Sequence, residues 1–116
     1  MTIGDIKEIL KADVLCEGDG LEREVHNACG SDMMSDVLAF VKDQSVLLTG
    51  LVNLQVVRTA EMMDILCIVF VRGKAPDEAI VRLANERGIS VLTSPCRMFL
   101  ACGLLYEKGL GGGYDN

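Results

Sequence analysis

The stretch SVLLTGLVNLQVVRTAEMMDILCIVFVRGKAPDEAIVRLANERGISVLTSP, residues 45–95, decides how this chain folds. It contains three apolar, mostly β-branched runs, SVLLTG (45–50), CIVFVRG (67–73) and ISVLTSP (89–95), which start every 22 residues. Each is followed by a segment with helical spacing. Runs that are apolar on both faces and alternate with amphipathic helices require a parallel sheet covered by helices, since both faces of such a sheet are buried. Right-handed crossovers then join the strands. The first helix is predicted to start at Asn53 as N-cap and to bury Val56, Val57, Ala60 and Met63. The second has Pro76 at its first position, Asp77 and Glu78 at the positive end of the dipole, Arg87 in its last turn and Gly88 beyond it.

Working outward from this core, Thr2 and Asp5 have capping-box spacing, and Ile3, Ile6, Ile9 and Leu10 mark one face of an N-terminal helix ending near Ala12. DVLC and LEREV, separated by the turn EGDG, suit two short strands. Ser31 or Asp32 is placed to cap a helix with Met33, Met34, Val37, Leu38 and Val41 at helical spacing. The last helix, about 96–108, contains MFLACGLL, eight residues without charge, wider than the stripe of a surface helix and interrupted by Gly103. It reads as deeply buried or as part of a subunit interface. The expectation is an α/β fold: a single domain over 1–108, a mainly parallel sheet with helices on both faces, an N-terminal helix and short strands, then a flexible Gly-rich tail over 109–116.

Length and composition narrow the function. The 116 residues suffice for one domain with a real core, and half of them are hydrophobic. No apolar run approaches the roughly 20 residues that cross a bilayer, and MTIGDIKEIL does not read as a secretion signal. A cytoplasmic protein with no membrane association is expected. Eleven Lys and Arg against 17 Asp and Glu leave a net charge of −6, which opposes binding to nucleic acid. The five cysteines, Cys16, Cys29, Cys67, Cys96 and Cys102, form no CxxC pair, so free thiols are expected and no compact metal site can be written. Cys96, beside Ser94 and Arg97 at a helix start, is the thiol whose pKa such surroundings would lower. With a single histidine, His26, no nucleophile–base pair can be assembled, so the chain is not expected to be an enzyme, and no cofactor is expected.

Ligands of open parallel sheets bind at the carboxyl ends of strands, where helix N-termini point free N–H groups outward. The three strand ends read Thr49-Gly50, Arg72-Gly73 and Thr93-Ser94-Pro95, with Arg72, Lys74 and Arg97 supplying positive charge on an acidic chain. Thr49, Gly50, Asn53, Arg72, Gly73, Thr93 and Ser94 are the candidate ligand-binding residues. The alternative is that glycine and proline end strands and polar residues cap helices, with no ligand. Gly73-Lys74 is not a phosphate loop, because Ile68 stands where its first glycine belongs.

Taken in order, VLCEG, GSDMMSDVL, LLTG and PDEAIVRLANERGISVLTS followed by a final helix resemble the DRTGG domain family over about residues 13–108. The resemblance implies a fold similar to the non-catalytic N-terminal domain of HPr kinase/phosphorylase. It also implies an accessory or regulatory module, found beside CBS domains and often dimeric. The residues that name the family are absent, since LLTG continues as Leu51, Val52 and Asn53, so no binding role is carried over from them. The reading is a non-catalytic regulatory domain, a homodimer that binds a small anionic ligand such as a nucleotide at the strand ends. Two alternatives stand beside it: an interaction subunit docking through its apolar C-terminal helix, and, from the context of similar stand-alone proteins, a thiol or metal redox accessory linked to hydrogenase-type systems through Cys16, Cys29 or Cys96.

Overall fold

The three apolar runs become adjacent strands because every side chain on them needs cover from both sides. A computed structural model describes residues 1–112. In chain order the elements are α1 (Ile3–Ile9), β1 (Asp13–Cys16), β2 (Asn27–Gly30), α2 (Met34–Phe40), β3 (Ser45–Thr49), α3 (Leu54–Met62), β4 (Cys67–Phe70), α4 (Glu78–Glu86), β5 (Ser90–Thr93) and α5 (Met98–Glu107). They form one α/β domain around a five-stranded sheet ordered β1-β5-β4-β3-β2. Strands β2 to β5 run parallel, and β1 pairs antiparallel with β5 through a register shift between Val14 and Cys16.

All nine residues of β3 and β4 are buried. Alternate side chains feed two cores. Val46, Leu48, Val69 and Leu92 face α1 and α5, where Ile3, Ile6, Leu10, Ala101 and Leu105 meet them. Leu47, Ile68, Phe70 and Val91 face α2, α3 and α4, meeting Val37, Val56, Ala60, Ile80 and Ala84. The fold expected from the sequence is thus the fold observed, with helices on both faces. Among the described residues, no helix is long and apolar enough to cross a membrane.

Local signals set most helix ends. Thr2 and Asp5 form the capping box, Asn53 accepts from Val56 N–H to cap α3, and Gly88 follows α4 at φ +76°. Three expectations differ. Asp77 caps α4 and accepts from Ile80 N–H, so Pro76 lies outside the helix. No side chain caps α2, whose N-cap is Met33. The second short strand is NACG, not LEREV. Within the latter, Val25 is buried, while Arg23 reaches the N-terminal ends of β4 and β5, donating to the carbonyls of Leu66 (3.1 Å) and Gly88 (2.8 Å). The inward-reaching arginine accounts for the alternation of that segment, whose one pairing is an isolated antiparallel bridge between Glu24 and Thr2.

Helix α5 lies over β2, where Gly30 leaves the room it needs: a Cβ there would come within 2.6 Å of Cys102 Sγ and 3.2 Å of Met98 Sδ. Of the tail expected over 109–116, residues 113–116 lie outside the described residues. The rest is held to the sheet, with Leu110 5% exposed and Ala28 N–H donating to Gly111 O at 2.8 Å.

Arg23→Ala should lower the unfolding free energy by about 2 kcal/mol, the worth of hydrogen bonds from a charged donor, in urea titrations with an unchanged m-value. Arg23→Lys should recover less than half of that, because an ammonium cannot span both carbonyls as the planar fork does.

Candidate functional site at the carboxyl rim of the sheet

The parallel strands place Ser31–Asp32, Thr49–Gly50, Arg72–Gly73 and Thr93–Ser94 along one rim, in the order of the sheet. In register, Thr49, Phe70 and Thr93 form one row across β3, β4 and β5. The connections that leave this rim are not equivalent. Helices α2, α3 and α4 all cover the same face, while α5 passes from β5 to the other. Divergence of consecutive helices to opposite faces opens a crevice between the loops that lead to them. Here those loops are residues 71–77 after β4 and 94–97 after β5.

The two loops are joined directly through their backbones. Arg72 N–H donates to Cys96 O at 2.8 Å and Gly73 N–H to Ser94 O at 2.7 Å. Arg72 and Gly73 adopt φ of +61° and +67°, and Lys74 N–H closes on Val71 O at 3.2 Å, the pattern of a type I′ turn. Gly73 meets this demand without strain. Arg72 does not, because a side chain in the left-handed region is disfavoured by about 1–2 kcal/mol. Such outliers concentrate at functional sites.

The structure brings the seven candidate residues to the rim and commits most of their donors internally. Thr49 is buried, and its hydroxyl donates to Asp32 Oδ1 at 3.1 Å. Gly50 N–H donates to the same oxygen at 2.6 Å. Asn53 is occupied as the α3 cap. Thr93 Oγ1 donates to Lys74 O at 2.6 Å, and the buried Ser94 hydroxyl donates to Leu10 O at 2.7 Å while accepting from Cys96 N–H. Gly73 is engaged as described. Only Arg72 keeps its side chain uncommitted: it is exposed, packs so closely on Gly50 that a Cβ there would collide with its guanidinium, and makes no ion pair among the described residues.

One feature of the rim was not legible as a site feature. Asp32 supplies a carboxylate where an anion was expected, because its two donors lie 17 and 18 residues away. At the other side, α5 begins at Arg97 with no side-chain cap, so its first-turn N–H groups face the rim without an acceptor of their own. Lys74 and Arg97 are exposed and, like Arg72, carry no ion pair among the described residues. Away from the rim, an apolar groove of about 380 Å³ runs between α5 and the tail, lined by Ala28, Gly30, Phe99, Cys102, Tyr106 and Leu110 among others.

The family model described as the DRTGG domain matches residues 5–104. The sequence matches no curated protein. Among solved structures, the chain is similar to the CBS and DRTGG domains of the regulatory region of Clostridium perfringens pyrophosphatase, complexed with its activator diadenosine tetraphosphate. The similarity has a TM-score of 0.75 at 20% identity and covers 90% of this chain. The chain spans 45% of the length of that one.

The five cysteines are free thiols, and no group of three His, Cys, Asp or Glu among the described residues is placed to hold a metal ion. Cys96, in the β5–α5 loop, is half-buried and donates to Leu10 O at 3.7 Å. Burial pushes the Cys67 thiol far above its ordinary range. It also raises Cys16, Cys29 and Cys102, with the neighbouring Cys102 and Asp36 charges adding to the effect at Cys29. Below the ordinary thiol value of 9.0 both folded and unfolded chains hold these protons. Above it the unfolded chain releases them first, so stability falls as pH rises. Urea titrations should show a loss of up to about 1.4 kcal/mol per pH unit above that value from the fully buried Cys67, and Cys67→Ala should make the slope shallower.

Proposed function

The chain belongs to the DRTGG domain family, and from that premise we propose that it is a non-catalytic regulatory domain that binds a small anionic ligand, nucleotides first among them. The ligand enters the crevice between residues 71–74 and 94–97. One observation carries this reading: the loops diverge to opposite faces of the sheet at the point where Arg72, held in a left-handed conformation, makes no ion pair among the described residues. Lys74 flanks it, and the uncapped first turn of α5 offers N–H groups to phosphate oxygens. On a chain of net charge −6, such a concentration of unpaired cations is stabilised most by a bound anion. The similar pyrophosphatase regulatory region was solved with diadenosine tetraphosphate, a ligand of this chemical class.

Of the seven candidate residues, Arg72 makes the charged contact and Gly50 sets its seat. Thr49, Asn53, Gly73, Thr93 and Ser94 shape the rim through the hydrogen bonds already described. The Asp32 carboxylate accepts from Gly50 N–H, and its charge opposes the ligand. The five free thiols fit a reducing cytoplasm. A second reading, a homodimeric or partner-docking subunit, is favoured by the exposed apolar face of α5, where Phe99 is 91% exposed.

A thermal-shift series with inorganic phosphate, mononucleotides and dinucleoside polyphosphates tests the ligand. Saturation at a hundred times Kd should stabilise the fold by about 2.7 kcal/mol. Arg72→Ala should weaken binding about tenfold, the equivalent of 1.4 kcal/mol, and Asp32→Asn should strengthen it. Absence of a shift with every anion removes the reading.

A further inference from the structure

Strand β2 is one edge of the sheet, and the chain itself returns to that edge. After α5 it sinks Leu110 into the core that α1 and α5 cover. Gly111 then bridges to Asn27 in the parallel sense, with Ala28 N–H donating to Gly111 O at 2.8 Å. A single bridge is not a strand, but it fixes a register. In a parallel pair that register advances one residue at a time along both chains, which sets Gly112 opposite Ala28, Gly113 opposite Cys29 and Tyr114 opposite Gly30.

Successive side chains of a strand alternate between faces, and the alternation is already visible. Leu110 lies in the core beside α5, and Gly112 lines the groove of about 380 Å³ next to the same helix. Position 114 therefore returns to that side. Residues 111–113 are all glycine, so Tyr114 is the first side chain that the sequence offers after Leu110. The groove has room for it at two glycines. Gly30 carries no side chain between β2 and Cys102, and a Cβ on Gly103 would meet no described atom within 4 Å. Phe99 and Tyr106, 91% and 58% exposed, line the same groove, and aromatic rings gain from contact with one another beyond the area they bury.

We propose that the chain beyond Gly112 continues as a sixth strand, parallel to β2, and seats Tyr114 in this groove over Gly103, against Phe99 and Tyr106. Gly30 N–H then donates to Gly113 O and Gly113 N–H to Ala28 O, in continuation of the bond between Ala28 and Gly111. The added strand closes the open edge of the sheet against pairing with other chains and covers apolar surface on α5. A partner that docks on this face, as in the second reading above, has to displace the tail first. The proposal does not depend on the anionic ligand.

Thiol labelling of the full chain reads the groove through Cys102, which lines it. Cys16, also half-buried but on β1 at the opposite edge of the sheet, is the internal control. With N-ethylmaleimide and peptide-resolved mass spectrometry, Tyr114→Ala should speed labelling of Cys102 about tenfold by removing the ring that covers it, and should leave Cys16 unchanged. Tyr114→Phe should label as the wild type does, because the groove is apolar. Hydrogen exchange of the Gly30 amide should be slower in the wild type than in Tyr114→Ala, with identical circular dichroism. Equal Cys102 rates in the wild type and Tyr114→Ala overturn the proposal. Protection of Cys102 that fades on dilution also overturns it, and assigns the groove to a second copy of the chain.

Discussion

Burial of β3 and β4 on both faces is the constraint from which the rest of this molecule follows. Nine consecutive-strand residues with no solvent face require helices above and below, and the short parallel connections can supply only one side. Helices α2, α3 and α4 leave and return on the same face because each links neighbouring strands by the same right-handed crossover. The opposite face falls to elements from the two ends of the chain, α1 and α5, joined by Leu110. The helix after β5 thus departs in the opposite sense from the helix after β4. The divergence of the two loops at Arg72 is a by-product of covering the sheet.

The same constraint governs the polar groups at the rim. Side chains that point into either core at a strand end must find partners inside the protein, since a buried hydroxyl without one is destabilising. Ser94 reaches Leu10 O, Thr93 reaches Lys74 O, and Thr49 shares Asp32 with the Gly50 amide. Among the described residues no buried side-chain nitrogen or oxygen is left without a partner. Chemistry toward solvent is accordingly left to cations on long side chains and to the amides of an uncapped helix. These are groups suited to holding an anion by charge.

How much of this was legible depended on the distance over which each interaction acts. The capping box of Thr2 and Asp5 and the Asn53 cap act over three residues, and both were readable as written. The Asp77 cap acts over the same distance, but Pro76 competes for the helix start, and reading it as the first helical residue starts α4 two residues early. Asp32 looked like a cap for α2 because its true partners, Thr49 and Gly50, are distant in sequence. LEREV alternated like a strand because Arg23 and Val25 both point inward, one to strand-end carbonyls and one to the core. NACG has too little apolar bulk to announce β2, and it pairs with β3 only once the sheet exists. The uncharged α5 left two options, and the structure places its apolar outer face in solvent.

By itself the sequence determined the fold class, the three central strands, their common direction and the rim on which their ends gather, because these depend on the periodicity of burial, which is local. Only the tertiary structure decided which rim groups remain available. Hydrogen-bond partners such as Asp32 for Gly50, Leu10 for Ser94 and Cys96 for Arg72 are set by which segments the packed sheet brings together, and that is a property of the whole chain.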